Sequence, residues 1–296
     1  MQAVLVVNPF ASRVTDARLA AIEHELSRVV DLTVVTTEWH GHATELVTAA
    51  CRAGTDIVIV FSGDGGFNEA LNGIEGDVPI GFLPGGGTSV LPRALGLPSD
   101  PLAAAGRLAD AIEQWRTRRI TVGRVNGRRF AFSAGVGIDA EAVRRVDEMG
   151  RSPDGKRPGD LAFALAVVRA LAVRRGHVEP MLEVKGLGRA ASAFVANAAP
   201  YTYAKRLALP IAPEADFELG LDVVAPIRVR RRSLVKTAWE VLLGHPSPGN
   251  FLYAHDVDRI EIVCDRPMPL HVDGEDLGDV ESAVFEAERG AVEVFV

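Results

Sequence analysis

Lysine is nearly absent from this 296-residue chain: Lys156, Lys185, Lys205 and Lys236 are the whole complement, against 28 arginines. None precedes position 156, which excludes a Walker A loop, whose lysine closes a glycine-rich strand-to-helix turn. The strand lysine and the HRD and DFG elements of protein kinases are missing as well. No GxGxxG follows the first strand, so the dinucleotide-dehydrogenase fingerprint is also excluded. Cysteine is scarce: Cys51 and Cys264 cannot build a disulfide framework or a four-cysteine zinc site. Cys264, in the run IEIVC, reads as a buried thiol in a reducing compartment. The longest apolar stretch, 161–173, is broken by Arg169 and ends at Arg174 and Arg175, too short and charged to span a bilayer. MQAVLVVNPF has neither a basic start nor a small-residue cleavage site and reads as a first strand rather than a signal peptide. The expectation is a soluble, cytoplasmic protein.

The net charge of −7 argues against a nucleic-acid partner. It is unevenly spread: residues 1–119 carry −5, residues 120–245 carry +7 and residues 246–296 carry −9. A basic middle between acidic ends suggests a local anionic partner. The length fits two domains, each with its own core.

Up to residue 119 strand and helix signals alternate. Strands are expected at 3–7, 32–37, 56–61 and 79–84, and helices at 16–30, 42–52 and about 67–71. Such alternation argues for a parallel sheet covered on both faces. From 120 to 296 short strands with turn signals take over, beginning with a hairpin at Asn126-Gly127. Helices are expected there only at about 159–175 and 231–243. The division is therefore an α/β domain over 1–119 and a mainly β domain over 120–296, whose last residues can return to the first.

Three patterns carry chemistry. The buried run DIVIVF enters Ser62-Gly63-Asp64-Gly65-Gly66 and then a helix bearing Asn68 and Glu69. Glycines let backbone N–H groups approach a ligand, and a helix N-terminus adds partial positive charge, which together cradle phosphate. One strand later comes Pro84-Gly85-Gly86-Gly87-Thr88-Ser89. Asn8-Pro9 and Thr37 end the first two strands, so four strand ends meet at the sheet edge where open α/β folds bind ligands. Near the C-terminus, LHVDGEDLGD presents Asp273, Glu275 and Asp276, which can supply a base, bind a cation or simply make an acidic hairpin turn.

GDGGFNEALNG, PGGGTS followed by RALGLP, FSAGVGIDAE and VDGE occur in the order seen in the diacylglycerol kinase catalytic-domain family, which the chain resembles over essentially its whole length. That family holds soluble bacterial lipid kinases with sphingosine and ceramide kinases. The resemblance implies ATP- and Mg²⁺-dependent phosphorylation of a lipid hydroxyl, diacylglycerol-like or sphingoid. It also implies an N-terminal parallel-sheet α/β nucleotide domain of NAD-kinase and diacylglycerol-kinase type, with a C-terminal β-sandwich-like domain. Carried over by position, Asn8, Pro9, Phe10, Ala11, Ser12 and Thr37 match nucleotide-contacting strand ends. Ser62, Gly63, Asp64, Gly65, Gly66, Phe67 and Asn68, with Glu69 behind them, match a GGDGTxN phosphate loop, and Gly87 and Thr88 a PxGT segment. Asp273 and Glu275 match the DGE pair that supplies the base, and Asp216 and Glu218 an acidic metal loop.

The chain departs from that pattern at Ser62, where glycine is usual, at Gly66, where threonine is usual, and at Ser89, where asparagine is usual. Leu219 replaces a glycine in the metal loop. The expectation is an active lipid kinase. The alternatives are a NAD kinase-like phosphotransferase and a catalytically silent lipid- or nucleotide-binding relative. Arg228, Arg230, Arg231 and Arg232, beside SLVKTAWEVLLG, suit an anionic membrane surface and predict peripheral association with the bilayer presenting the lipid. A homodimer is left open.

Overall fold

A computed structural model describes residues 1–148, 178–200, 202–204, 207–209, 211–229, 240 and 249–296. They form two compact units, Met1–Thr121 with Arg289–Val296, and Val122–Glu288.

The first unit is built on parallel strands. β1 (Gln2–Val7) pairs on one side with β2 (Asp31–Thr36) and on the other with β3 (Ile57–Ser62), which in turn pairs with β4 (Ile80–Pro84). The helices are α1 (Asp16–Leu26), α2 (His42–Arg52), α3 (Asp64–Gly73), the short α4 (Val90–Ala94) and α5 (Pro101–Glu113). Every residue of β3 is buried, as its uninterrupted apolar run requires of a central strand. Local chemistry sets the helix starts: the Thr15 hydroxyl accepts the Arg18 N–H ahead of α1, and Asp100 accepts from Leu102 and Ala103 ahead of Pro101. The strand order 2-1-3-4 reverses between β1 and β3, where such sheets leave a crevice at their C-terminal edge.

β5 (Thr117–Val125) begins in the first unit and ends in the second, and β16 (Glu275–Phe295) ends in the first, where Val294 pairs in parallel with Ile80. Within the second unit the pairs are antiparallel. β13 (Leu221–Pro226) lies between β14 (Phe251–Val257) and β10 (Ala193–Ala196), and β10 pairs with β7 (Ser133–Val136). β15 (Arg259–Val272) is long enough to serve two neighbours: its first half pairs with β8 (Leu182–Val184) and its last residues with β7. A register shift between Val263 and Met268 separates the halves. β6 (Arg128–Phe130) and β9 (Gly188–Ala190) complete the hairpins, and β11 (Thr202–Ala204) pairs with β12 (Leu207–Leu209). The core includes Phe130, Leu182, Val195, Ile262, Leu270 and Phe285. This is the expected combination of an α/β unit and a β-sandwich-like unit.

Three element expectations change. α3 begins at Asp64 rather than near 67, so the glycines form the helix's first turn instead of a loop before it. α5 and α6 (Ile138–Glu148) were not expected, and α6 follows β7 within the FSAGVG run through Gly137 at φ +106°. The helices expected at 159–175 and 231–243 lie outside the described residues, Glu240 excepted.

Candidate active site

In the first unit the ends of β1, β3 and β4 are laced together. Asn8 donates its backbone N–H to Phe61, and its side-chain Oδ1 accepts from the Phe10 N–H at 3.0 Å, closing the Asn8–Ala11 turn. Phe10 is exposed and Thr37 is buried, with its N–H on Val7. Arg13, which sequence reasoning did not single out, donates its backbone N–H to Gly85 and its guanidinium to Ser99 O (2.7 Å) and Gly87 O (3.3 Å). It ties the first loop to the second glycine cluster; its position just past the first strand end was the available signal.

The two glycine clusters meet backbone to backbone. Gly85 donates to Ser62 O at 2.6 Å. A Cβ on Gly85 would stand 2.9 Å from that oxygen, and one on Gly86 would stand 2.9 Å from Gly63 Cα. Glycine is needed at both positions for close approach, since backbone of the facing segment occupies the place a side chain would take. The Ser89 hydroxyl, on a residue at φ +47°, accepts the Gly86 N–H and donates to Gly86 O, so serine closes this turn locally. Gly87 is exposed and Thr88 half-buried beside it.

The N-cap of α3, Gly63, makes no side-chain cap bond. The first-turn N–H groups of a helix have no preceding carbonyl, which makes this end a place for an anion. The Asp64 Oδ1 accepts the Leu91 N–H at 3.2 Å, fastening α4 to the loop. The next three side chains are engaged within the unit. Phe67 is fully buried, edge-on to Phe82, and Asn68 is buried at 1 % exposure with its Oδ1 near Asn72 Nδ2. Glu69 faces α2, accepting the Ala43 N–H through its carboxylate and the Thr44 hydroxyl through its carbonyl. These side chains pack on β4, along α3 and against α2, so they support the loop from within the fold.

In the second unit Asp273 and Gly274, at φ +48° and +79°, form the two-residue turn between β15 and β16, with Val272 opposite Glu275. The Asp273 carboxylate is buried and accepts three backbone N–H groups, from Ala131 (2.7 Å), Phe132 (3.0 Å) and Ser133 (3.1 Å). Those bonds occupy most of its acceptor capacity. Glu275 is less enclosed and pairs with Arg128 at 2.7 Å. Asp276 is held by both donor arms of Arg144 from α6, and Arg144 also reaches Asp279. Below the turn, buried His271 meets buried Asp139 at 2.7 Å, and Gly135 leaves the space that the Asp139 carboxylate fills. Arg128, Arg144, Asp139 and His271 were missed by sequence reading; the run of acids around the DGE turn, which calls for basic partners, was the available signal.

Asp216 and Glu218 are exposed, and Asp216 Oδ1 accepts the Glu218 N–H at 2.9 Å in a local turn. Next to them Asp222 is fully buried, bound by His255 Nδ1 (2.8 Å) and the Asp256 N–H (3.0 Å). Burial pushes the Asp222 carboxyl up from its ordinary pKa, against the pull of Asp256, His255 and Tyr253. Among the described residues no three His, Cys, Asp or Glu side chains gather to hold a metal ion. The donor set at Asp216 and Glu218 does not fit a resident Mg²⁺. Arg228 pairs with Glu179 at 3.2 Å, while Arg230, Arg231 and Arg232 lie outside the described residues. Among the described residues no helix is long and apolar enough to cross a membrane.

Comparison with known proteins gives a consistent picture. Residues 2–125 match the family described as diacylglycerol kinase catalytic domain, and residues 132–296 the YegS C-terminal NAD kinase beta sandwich-like domain. A diacylglycerol kinase of Bacillus subtilis is 26% identical over 241 residues, covering 79% of this chain and 76% of the relative. One from Mycobacterium tuberculosis is 34% identical over 153 residues, covering 49% of this chain and 47% of the relative. In fold the chain is similar to a diacylglycerol kinase crystal structure from Bacillus anthracis (TM-score 0.72, 19% identity, 99% and 96% of the two chains). It is more distantly similar to an ATP-bound NAD kinase from Archaeoglobus fulgidus (TM-score 0.54, 15% identity, 100% and 94%).

Proposed function

The chain belongs to the diacylglycerol kinase catalytic-domain family, and from that premise we propose that it transfers the γ-phosphoryl group of ATP to a lipid hydroxyl. The observation that carries this reading is the backbone contact of the two glycine clusters at the open N-terminus of α3. An anionic polyphosphate is the ligand class such an amide-lined helix end accepts without lysine. Gly65 and Gly87 lie in open space, so their backbone is approachable from outside. Mg²⁺ would arrive with the phosphates of ATP, since it binds through substrate phosphates more often than in an all-protein cage.

On this reading Glu275 is the base. The lipid oxygen forms its bond to the γ-phosphorus as the bond to the β-phosphate oxygen breaks, ADP departs, and the hydroxyl proton passes to Glu275. Asp273, bound to three amides, holds the turn that presents Glu275. A base of this kind contributes roughly 10²–10⁴-fold, the larger part coming from positioning and charge stabilisation. Arg228 and the arginines after it would bring the enzyme to an anionic membrane surface from the cytoplasm.

The test is incubation with γ-labelled ATP, magnesium and an extract of membrane lipids, with NAD in a parallel reaction. Label in an organic-soluble product supports the proposal. Label in NADP would replace it with a NAD kinase, and no labelled product with a silent binding protein.

A further inference from the structure

Two departures from the GGDGTxN pattern, Ser62 for glycine and Gly66 for threonine, are sterically one change. A Cβ on Gly66 would stand 2.1 Å from Ser62 Oγ and 2.8 Å from Ser62 Cβ. Neither backbone is free to give way. Ser62 ends the buried strand β3, opposite Pro84 of β4, and its carbonyl accepts Gly85 N–H. Gly66 sits in the first turn of α3, where the Gly63 carbonyl accepts the next residue's N–H. Only one of the two positions can therefore carry a side chain. The family pattern puts it at 66, and this chain puts it at 62.

The displaced hydroxyl enters the same volume. Ser62 is 1 % exposed, and its Oγ has no hydrogen-bond partner. Asn8 Nδ2, from the neighbouring strand end, lies 3.9 Å from the point a residue-66 Cβ would occupy. A buried hydroxyl without a partner is unfavourable. This one faces the first turn of α3, whose amides also lack carbonyl partners within the helix. A ten-residue helix with an uncapped N-terminus and a buried hydroxyl directed at it form a site with donors on two sides.

We propose that Ser62 binds phosphate: its hydroxyl donates to a phosphate oxygen of the nucleotide at the α3 N-terminus. The Ser62–Gly66 pair relocates the loop's hydroxyl instead of losing it. This rests on the nucleotide-binding reading above and assigns one of its contacts.

Calorimetric titration with ATP and with adenosine tests it, using wild type, Ser62→Ala, Gly66→Thr and the double exchange Ser62→Gly/Gly66→Thr. Hydrogen bonds to charged groups predict that Ser62→Ala weakens ATP binding by about 10- to 100-fold while leaving adenosine unchanged. Gly66→Thr alone should lower the melting temperature and abolish ATP binding, and the double exchange should restore ATP affinity to within about threefold of wild type. Equal ATP affinity in wild type and Ser62→Ala overturns the proposal. So does an equal loss for ATP and adenosine, which would make the hydroxyl a packing element, or a double exchange no better than Gly66→Thr. A wild-type protein that binds no ATP overturns the nucleotide reading itself, which keeps the two failures apart.

Discussion

Replacing Asp273 separates holding the site from performing its chemistry. In Asp273→Ala three N–H groups at Ala131, Phe132 and Ser133 lose their acceptor, and all three residues are buried. Each buried donor left unpaired costs about 1–3 kcal/mol, so the three together should cost roughly 3–9 kcal/mol against a total of about 5–15 kcal/mol for a domain. Alanine at φ +48° adds strain of about 1–2 kcal/mol. Asparagine tolerates that backbone and keeps one acceptor. Phe132 and Ser133 share Oδ1, so Asp273→Asn should keep that pair and strand Ala131, costing about 1–3 kcal/mol. Glu275→Gln differs: its pair with Arg128 is partly open to solvent, at 32% and 17% side-chain exposure, and is worth about 0–1 kcal/mol. Urea unfolding followed by circular dichroism should rank the variants wild type, Glu275→Gln, Asp273→Asn, Asp273→Ala in falling midpoint. In the labelled-ATP assay Glu275→Gln should lose roughly 10²–10⁴-fold in kcat while remaining folded. Asp273→Ala unfolding at the wild-type midpoint would refute the anchoring argument. A folded Glu275→Gln protein with full activity would refute the base.

Gly86→Ala places a Cβ 2.9 Å from Gly63 Cα, so it should destabilise by about 1–3 kcal/mol and weaken ATP binding; wild-type melting and affinity would contradict this. Burial alone would raise the Glu288 carboxyl, but Arg124 and Arg129 outweigh it and hold it below its ordinary value. A depressed carboxylate stabilises the fold above its unfolded pKa and loses that contribution as pH falls through the lower folded value. Wild type should therefore exceed Glu288→Gln in urea midpoint at neutral pH and converge with it below about pH 4. A constant difference across that range would exclude the mechanism. Burial, with Asp265 adjacent, pushes the Cys264 thiol up to about 11. Iodoacetamide at neutral pH should label it, by mass spectrometry, only after unfolding, and rapid labelling of the native protein would contradict its burial.

Much of the architecture was legible because local pattern and burial coincide. β3 reads as apolar throughout and is buried throughout, and Asn126-Gly127 opposes Val125 to Arg128 as its turn chemistry requires. Where local signals were weak the reading slipped. Glycines at 65 and 66 have poor helix propensity, which hid the first turn of α3; its packing on α2, through Glu69, supplies what propensity lacks. α6 was hidden for another reason: its charged residues Glu141, Arg144 and Arg145 read as surface, yet Arg144 is engaged by Asp276 and Asp279.

The sequence by itself determined the α/β-then-β order, both glycine clusters, the DG turn and the family, since each is written in neighbouring residues. Its lack of lysine before position 156 already excluded a Walker A loop. Tertiary structure alone decided what individual side chains do there. Asp273 is committed to amides 140 to 142 positions away, because β15 lies next to β7. Ser62 and Gly66 exclude each other's side chains because a strand end and a helix start converge on one small volume. The first depends on which segments become neighbours when the core closes, and the second on how tightly the strand-to-helix turn folds.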